Sequence, residues 1–304
     1  MEKTRIVVVG SCNTDLVISV DHLPAPGETI IGHDFMTNQG GKGANQAVAV
    51  ARLGGTTAFV ARVGDDGFGR QSIALLKEEG IDTRHVLLTE GVATGVAMIP
   101  VDCRGENSII VASGANALLT PADIDAAADT IREAGIVLMQ LETPVDTLIR
   151  AARLAREGGA LVVLNPAPFP KEPLPAELLA LVDIITPNET EASMMAGISV
   201  TDEASALQAI LKIQATGIKQ VILTAGSKGA YTAESGSLVN IPAVKTEVVD
   251  TTAAGDTFCG ALCVALCEGR SLTDAIAMAN RAAAVTVSRM GAQQAMPHRA
   301  DIGL

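Results

Sequence analysis

Much of the sequence alternates short apolar segments with longer amphipathic ones, and this alternation limits the fold more than any other feature. From Pro121 onward, helices are predicted at 121–133, 144–157, 188–196 and 202–215, and strands at 136–140, 160–164, 183–186 and 220–224. Strands that alternate with helices in this way form parallel sheets covered by helices on both faces. Ile6–Gly10 is a further apolar strand, as expected where both faces are buried. We therefore predict an α/β fold with three α/β/α layers around a mostly parallel central sheet.

Two segments in the first part of the chain depart from this alternation. Pairs of short strands are predicted at 16–20 with 29–35, and at about 93–101 with 107–112. Between the two pairs, the pattern predicts a helix ending near Leu53, a strand at 57–63 and a helix through Lys77. The two hairpins would stand off the main sheet and form one small β lid. We expect a single α/β domain over residues 1–304, with lid strands inserted at about 15–37 and 92–113.

Composition excludes two classes of partner. The net charge is -12, and the few aromatic residues (five Phe, one Tyr, no Trp) cannot build a platform for base stacking. Nucleic acids and anionic membranes both favour basic surfaces, so neither is an expected partner. Residues 1–10 do not have the pattern of a secretory signal, and no apolar run reaches the roughly 20 residues of a membrane span. Five cysteines without CxxC spacing indicate reduced thiols, and we expect a cytoplasmic protein.

Polar residues recur where the predicted strands end. They are Asn13 and Asp15 after the first strand, then Glu142, Asn165, the segment 188–191 and the segment 224–229. Ligands of open α/β sheets bind outside the carboxyl ends of the strands. Each residue alone is weak evidence, because loops are polar and Asn13 with Asp15 also fits an ordinary Asx turn. Their recurrence at one edge of one sheet predicts a single site there for a small polar ligand.

The segment 249–260 combines small residues and two acids, and then becomes apolar at helical spacing through Phe258, Leu262 and Leu266. This pattern puts Gly255 and Asp256 at a helix N-terminus, where unpaired N–H groups and the helix dipole favour an anion. Glycine lets a ligand approach the backbone closely. An exposed carboxylate beside such an end could assist phosphoryl transfer to a hydroxyl. Local sequence also allows Asp256 to be a simple helix cap.

A glycine-rich segment at 38–45 precedes the helix that ends near Leu53. Lys42 lies between glycines but is followed by Gly43, so the segment is not a Walker A loop. The first strand is not followed by GxGxxG, which disfavours a dinucleotide-binding oxidoreductase. Lys42 is expected to contact a sugar or a phosphate, although an exposed, solvated lysine is the alternative.

Five motifs occur in an order and spacing that resemble the ribokinase-like, or PfkB, family of carbohydrate kinases. They are Asn13 with Asp15, Gly40-Gly-Lys-Gly-Ala-Asn45, Gly64-Asp-Asp-Gly67, Asn188-Glu-Thr-Glu191 and Asp250-Thr-Thr-Ala-Ala-Gly-Asp256. The resemblance extends from the first strand to about Pro297, and the glycine-rich block is most typical of the ribose-phosphorylating members. It implies the three-layer fold with a lid. It also implies ATP-dependent transfer of the γ-phosphoryl group to the 5-hydroxyl of D-ribose, which gives ribose 5-phosphate.

The resemblance implies a role for each matching residue. The pentose is expected to bind Asn13, Asp15, Gly41, Lys42, Gly43, Ala44, Asn45, Glu142 and Asp256. The nucleotide is expected to bind Asn188, Thr224, Ala225, Gly226, Ser227, Lys228, Gly229, Gly255 and Asn280. Asp256 would be the base that takes the proton from the attacking hydroxyl. The N–H groups of Ala253, Ala254 and Gly255 would form the anion hole for the transferred phosphoryl group.

Two cations and a dimer are implied as well. Glu191 would support Mg²⁺ through water, and K⁺ would bind mostly to backbone carbonyls in the loop of Asp250, Thr252, Thr286, Arg289, Gly291 and Ala295. Ala295 stands where family members commonly carry a serine, so one side-chain ligand would be missing. Relatives often dimerise through their lid sheets, and exposed strand edges favour such pairing. We therefore expect a homodimer.

Other functions remain compatible with parts of the pattern. Within the family these are deoxyribokinase, fructokinase and nucleoside kinase activity, although scarce aromatics disfavour a nucleoside and Asn13 beside Asp15 favours a fully hydroxylated sugar. A non-catalytic sugar-binding protein would keep Asn13 and Asp15 but would not need Asp256. We further expect the helix N-terminus to lower the pKa of Asp256, which would make it a weak base.

Overall fold

A seven-stranded parallel sheet lies at the centre of the computed structural model, which describes residues 4–303. With elements numbered in chain order, its strands lie side by side as Gln220–Val221 (β11), Ile184–Ile185 (β10), Leu161–Leu164 (β9), Ile136–Met139 (β8), Arg5–Val9 (β1), Thr56–Gly64 (β4) and Asp82–Thr89 (β5). All six neighbouring pairs are parallel. The carboxyl ends of the strands therefore lie along one edge of the sheet.

Helices cover both faces of this sheet. They are Lys42–Arg52 (α1), Gly67–Glu78 (α2), Pro121–Ala126 (α3), Ala128–Arg132 (α4), Val145–Gly158 (α5), Ala176–Leu181 (α6), Glu189–Ala196 (α7), Glu203–Gln214 (α8), Ala254–Cys267 (α9) and Leu272–Val287 (α10). Because strand side chains alternate, Ile6 and Val8 of β1 pack into a core with α1, α9 and α10, whereas Val7 and Val9 pack into a second core with α3, α5 and α8. The predicted three layers around a parallel sheet are confirmed.

A four-stranded sheet, which we call the small sheet, is built from the two predicted insertions. Its order is Phe35–Gly40 (β3), Asn13–Ser19 (β2), Gly95–Val101 (β6) and Ile110–Ala112 (β7). β2 and β6 pair in parallel and join the two insertions, while both outer pairs are antiparallel. A third, antiparallel sheet contains Leu223–Thr224 (β12), Ala230–Glu234 (β13) and Ser237–Ile241 (β14).

The second strand of the first insertion was predicted at 29–35, and this prediction is wrong. The strand is Phe35–Gly40, with Gly40 paired to Asn13 and Gln39 paired to Thr14. Residues 29–34 form no strand. The error has a physical cause, because Thr37 to Gly40 are polar or glycine and carry no alternating apolar pattern. Their strand conformation comes from pairing with β2.

Other boundaries differ from the predictions for local reasons. The predicted helix 121–133 is broken at Ala127 into α3 and α4, and the predicted strand 220–224 is divided between β11 and β12, which belong to different sheets. The strand predicted at 107–112 begins at Ile110, after an isolated bridge between Asn107 and Val101. Strands β5, β13 and β14 and the helices α6 and α10 were not predicted.

Candidate active site

Asp256 lies in the first turn of α9, where the sequence placed it, and it is buried. Its Oδ1 accepts a hydrogen bond from Gln46 Nε2 at 3.0 Å, and its Oδ2 accepts one from Asn45 Nδ2 at 3.0 Å. The residue at the cap position is Ala253, and the start of α9 carries no side-chain cap. The alternative that Asp256 merely caps the helix is therefore wrong, because its carboxylate is bound by side chains of α1.

The expectation that the helix end lowers the pKa of Asp256 is also wrong. Burial raises this pKa by more than the charge of Lys42 and the hydrogen bonds from Asn45 and Gln46 lower it. Taking a carboxylate out of water disfavours its charged form, and here that cost outweighs the favourable neighbours. Asp256 is consequently a stronger base than an exposed aspartate.

Unpaired backbone donors lie next to this base. Within residues 4–303, the N–H groups of Gly255 and Asp256 have no hydrogen-bond acceptor, whereas that of Ala254 donates to the Thr251 carbonyl at 3.3 Å. A Cβ placed on Gly255 would meet no atom within 4 Å, so the backbone there faces open space. Ala253 adopts a left-handed conformation with φ 59°, which is uncommon for a residue with a Cβ. The start of α9 is thus an open anion-binding end.

A cavity of about 220 Å³ lies in front of these donors. Its walls come from the N-terminal ends of α7 and α9, the ends of β9 and β10, and the side chain of Lys42 from α1. The lining residues are Lys42, Asn165, Ala167, Thr186, Asn188, Glu191, Thr224, Thr251, Ala253, Gly255, Asp256 and Cys259. Two helix N-termini aimed at one cavity that also holds a lysine favour an anionic group.

Lys42 and Glu191 are the charged residues that face Asp256 across this cavity. Burial alone would lower the pKa of Lys42, but the charges of Asp256, Glu142 and Glu191 outweigh it and raise that pKa. Glu191 Oε2 accepts a hydrogen bond from the Asn188 N–H at 2.9 Å as part of a capping box on α7. Burial raises the pKa of Glu191 more than this hydrogen bond and Lys42 lower it. Lys42 is therefore ionised. Because it is only partly exposed and lines this cavity, the alternative of an exposed, solvated lysine is wrong.

Asp15 and Glu142, which together with Asn13 we call the carboxylate cluster, are near enough to Asp256 for their charges to interact. Asn13 Oδ1 accepts a hydrogen bond from Asn116 Nδ2 at 2.7 Å, which leaves the Asn13 amide N–H groups for a ligand. Glu142 Oε2 accepts from Ser11 Oγ at 2.5 Å and from the Lys42 N–H at 3.0 Å. The predicted polar residues of two strand ends are thus brought together.

Asp15 differs from its neighbours because no residue within 4–303 donates a hydrogen bond to its carboxylate. Burial first, and then the charges of Glu142 and Asp256, raise its pKa to about 6. A Cβ on Gly40, its neighbour on β3, would lie 2.3 Å from Asp15 Oδ2, so a larger residue there would displace this carboxylate. Gly41, at the start of α1, has φ 86°, and a Cβ there would lie 2.7 Å from the Asn13 nitrogen. Gly40 thus makes room for the Asp15 carboxylate, and Gly41 lets the start of α1 approach the backbone of Asn13.

The predicted nucleotide residues are only partly brought together. Asn188 and Thr224 form a parallel bridge and both line the cavity. The segment Gly226–Lys228 is a short 3-10 helix after β12, and Lys228 pairs with Glu189 at 3.0 Å. Asn280 does not line the cavity, since its Nδ2 donates to the carbonyls of Ile241 and Pro242. Of the predicted nucleotide residues, Asn188, Thr224 and Gly255 therefore line the cavity, and the others do not.

The predicted potassium residues lie on two segments, 250–252 and 286–295, which are joined by hydrogen bonds of Asp250. Asp250 Oδ1 accepts from the N–H and Oγ1 of Thr252, and its Oδ2 accepts from the Gly291 N–H at 2.9 Å. Burial disfavours its charge, but these hydrogen bonds outweigh it and lower the pKa of Asp250. The side chains of three other residues point elsewhere: Thr286 binds Thr257, Arg289 pairs with Asp301, and Ala295 buries its methyl group.

Sequence reasoning missed several residues of the site. Gln46 and Gln140 are fully buried and connected to Asp256, and Asn116 and Ser11 orient Asn13 and Glu142. A usable signal was present at Gln46, where an amide interrupts the apolar face of a helix rich in Ala and Val. Asn116 gave no comparable signal, because it lies in a short 3-10 turn, Gly114–Leu118.

Residues 4–303 contain no group of three or more His, Cys, Asp or Glu side chains placed to hold a metal ion. No helix in that range is long and apolar enough to cross a membrane.

Known proteins resemble this chain over nearly its whole length. A family model described as pfkB family carbohydrate kinase matches residues 3–299. The chain is 44% identical over 301 residues to a ribokinase of Haemophilus influenzae, covering 99% of this chain and 97% of that relative. It is 35% identical over 292 residues to a deoxyribokinase of Salmonella typhi, covering 96% and 95%. Its structure matches that of Arabidopsis thaliana ribokinase complexed with ribose and ATP, with a TM-score of 0.92, 37% identity, and coverage of 98% of this chain and 96% of the other.

Proposed function

The chain belongs to the pfkB family of carbohydrate kinases, and we propose that it transfers the γ-phosphoryl group of ATP to the 5-hydroxyl of ribose. It is a phosphotransferase with an alcohol as acceptor. The observation that carries the proposal is the position of Asp256. Its carboxylate lines the cavity with the unpaired N–H groups and is near enough to Asp15 for the two charges to interact, so one residue can touch both an alcohol and a phosphoryl group.

The residues divide the work of the transfer. A sugar hydroxyl held beside Asp256 gives its proton to that carboxylate as its oxygen forms a bond to the γ-phosphorus, and the bond from that phosphorus to the ADP oxygen breaks. The N–H groups at the start of α9 and the ammonium of Lys42 stabilise negative charge on the phosphoryl oxygens. Because phosphoryl transfer depends mainly on positioning and charge, no covalent enzyme intermediate is needed.

The carboxylate cluster supports ribose as the acceptor. Asn13 offers amide N–H donors, and Asp15 offers a carboxylate without a partner, which can accept hydrogen bonds from two hydroxyl groups. A sugar that lacks one of those hydroxyls would cover the partly buried Asp15 carboxylate without supplying a hydrogen bond, which is costly. We therefore propose that ribose is preferred over deoxyribose.

Glu191 fits a divalent cation that arrives with ATP. This buried carboxylate lines the cavity, uses one oxygen to bind Asn188, and has a raised pKa because its charge is poorly compensated. A magnesium ion is often held by one or two carboxylates together with water and phosphate oxygens, which suits a site without three grouped ligands. When bound, Mg²⁺ neutralises part of the phosphate charge. We propose that Glu191 holds it through water.

The loop around Asp250 fits a monovalent cation. Its ionised carboxylate is fixed by Thr252 and Gly291, so the charge is present while the two oxygens are already hydrogen-bonded. We propose that K⁺ binds there through backbone carbonyls of Thr252, Thr286, Arg289, Gly291 and Ala295. Ala295 contributes no side-chain oxygen.

We propose that the small sheet is both a lid on a single kinase domain and the interface of a homodimer. Paired rows of this sheet put Ile18, Phe35, Met98 and Ile110 on one face, and all four are exposed. Asp15 lies on the opposite face. An exposed apolar face of this kind favours a protein partner. Ile110→Asp should convert a dimer to a monomer in sedimentation, and a monomeric parent protein would refute the interface.

A coupled ADP-release assay tests the activity. Ribose, deoxyribose, fructose and adenosine are compared with and without K⁺, and with Mg²⁺ replaced by excess chelator. We expect the highest kcat/KM with ribose, stimulation by K⁺ and no activity without a divalent cation. Activity confined to adenosine, or absent with all four acceptors, would refute the proposal. We also propose a reducing compartment, the cytoplasm, because all five cysteines are free thiols; cell fractionation is the test.

A further inference from the structure

The carboxylate of Asp256 meets amide donors on both of its oxygens. Gln46 donates to Oδ1 and Asn45 donates to Oδ2, each at 3.0 Å. Gln46 is fully buried and comes from the first turns of α1, more than 200 residues away in sequence. An amide can turn either its N–H₂ or its oxygen to a neighbour, so something must fix its direction.

The direction of Gln46 is fixed from a backbone carbonyl. Asn165 Nδ2 donates to the Thr186 carbonyl at 3.1 Å, and because a carbonyl only accepts, Asn165 must present its Oδ1 to Gln46. Gln46 Nε2 donates to that Oδ1 at 3.1 Å and to Asp256 with its second hydrogen. Gln46 Oε1 in turn accepts from Gln140 Nε2 at 2.6 Å. Rotating the Gln46 amide by 180° would therefore break its hydrogen bonds to Asn165 and Asp256, and it would turn its N–H₂ group toward that of Gln140, whose own Oε1 has no partner.

Asn45 is oriented in the same manner from another side. Its Oδ1 accepts a hydrogen bond from Gln293 Nε2 at 3.1 Å, which turns its Nδ2 toward Asp256. Gln293 belongs to the 3-10 turn Gln293–Ala295, close to the loop of Asp250. Both oxygens of the base thus face donors whose orientation is set by residues that do not touch it.

We propose that Gln46 is a positioning residue for phosphoryl transfer, whose N–H, directed by Asn165 and Gln140, holds Asp256 ionised and ready to accept a proton. This inference rests on the proposed kinase function. A neutral carboxylic acid at this place would have to turn its O–H toward a fixed N–H donor or lose a hydrogen bond, and both are unfavourable. Burial favours the neutral acid, so the fixed donors oppose the main destabilising effect on the base.

Other charged groups also face Asp256 and must be constant in any test. Lys42 on α1 favours its ionised form, and Glu142, after β8, disfavours it. Asp15 on β2, Glu191 on α7 and Cys259 on α9 are further titratable neighbours. None of them is changed by a substitution at Gln46.

The test is the pH dependence of kcat at saturating ribose and ATP, because saturation keeps the titration of Asp15 in the free enzyme out of the profile. Gln46→Met keeps the side-chain length and removes the donor. We expect its acidic limb to shift upward by about 1–2 pH units, the size of one hydrogen bond to a charged group. Its kcat should return to within a few-fold of the parent at alkaline pH.

Two further variants separate this role from a structural one. Gln140→Met removes the donor to Gln46 Oε1, and we expect a smaller upward shift of the acidic limb. This variant also tests the inference if Gln46→Met does not fold. Thr147→Val removes a buried hydrogen bond to the Leu119 carbonyl that is not connected to the amides around Asp256, and it should lower thermal stability without moving the limb. An unshifted limb in both glutamine variants, or a loss of kcat that alkaline pH does not restore, would overturn the inference. A parent protein that does not phosphorylate ribose would instead refute the proposed function.

Discussion

Asp256 and Asp15 are two carboxylates of the same site, and the protein surrounds them in opposite ways. Asp256 accepts hydrogen bonds from Asn45 and Gln46, whose amides contact residues from three other parts of the chain, Asn165, Gln140 and Gln293. Asp15 lies on the small sheet, and its carboxylate receives no hydrogen bond from any residue within 4–303. The pKa of this carboxylate is raised to about 6. The group proposed for the chemistry is held in place in advance, whereas the group proposed for binding is left for the ligand to satisfy.

The difference follows from what each carboxylate must do. A base works best when its direction and charge are set before the substrate arrives, because reorganisation at the moment of reaction adds to the barrier. A binding carboxylate gains most when ligand hydroxyls replace missing partners. The first requirement places Asp256 among buried helices, and the second places Asp15 on a sheet with an exposed outer face.

The largest expected effect comes from Asp256→Asn. This substitution removes the proton acceptor. The new amide N–H₂ group would face the N–H donor of Asn45 or of Gln46, whose orientation is set by its other hydrogen bonds. We expect kcat to fall by roughly 10²–10⁴, the usual contribution of a general base, while the dissociation constant for ribose changes little. Steady-state kinetics and calorimetric ribose binding measure the two quantities. A variant with near-normal turnover would remove Asp256 from the chemistry.

Asp15→Asn should affect binding instead. It replaces an acceptor for two hydroxyls by a neutral amide, and a hydrogen bond to a charged group contributes about 1.5–3 kcal/mol. We expect KM for ribose to rise roughly 10- to 100-fold, with a much smaller change in kcat and none in KM for ATP. Equal losses in kcat and in kcat/KM would contradict the division of labour between the two carboxylates.

Ribose binding should also depend on pH through Asp15. The ionised carboxylate accepts hydroxyl hydrogen bonds, and with a pKa of about 6 it is largely protonated at pH 5. We expect ribose affinity to be constant above pH 7 and to fall about 10-fold by pH 5, as one group titrates. Asp15→Asn should remove this dependence. Calorimetry without nucleotide, over pH 5 to 8, measures it.

The same titration changes stability with the opposite sign. The pKa of Asp15 is raised from 3.8 in the unfolded chain to about 6 in the folded protein, so the folded state binds this proton more tightly. Its contribution to stability is therefore most favourable below about pH 4 and decreases as pH rises to 6. Asp15→Asn should raise the melting temperature at pH 7.5 in the absence of ribose, and an unchanged or lower value would argue against an uncompensated charge.

The smallest expected effect concerns the turn below Asp256. Ala253 has φ 59° at the cap of α9, a conformation that glycine adopts without strain. Ala253→Gly should change the free energy of unfolding by less than about 1 kcal/mol, because relief of strain and the larger entropy of the unfolded chain oppose each other. Urea unfolding measures this value. A large loss would indicate that the Ala253 methyl group packs at the site.

Much of the site was predictable because its residues follow strands. Asn13, Asp15, Glu142, Asn165 and Asn188 come after apolar strands of the parallel sheet, and such strands bring their carboxyl ends to one edge. Gly255 and Asp256 were predictable from the start of an apolar helix. The small sheet was predicted only in outline, because β3 is polar and its register is set by pairing with β2.

The sequence by itself determined the alternation of strands and helices in most of the chain, their apolar faces and most of the polar groups at the sheet edge, because these depend on local periodicity. Only the tertiary structure decided the state of those groups. From the sequence, the nearby helix end was expected to lower the pKa of Asp256. The fold instead raises this pKa, because it encloses the carboxylate. The fold also decided which amides face Asp256, and it left the carboxylate of Asp15 without a hydrogen-bond donor within 4–303. Burial and hydrogen-bond direction depend on residues that are distant in the chain, such as Gln46 and Asp256, and no local pattern records those contacts.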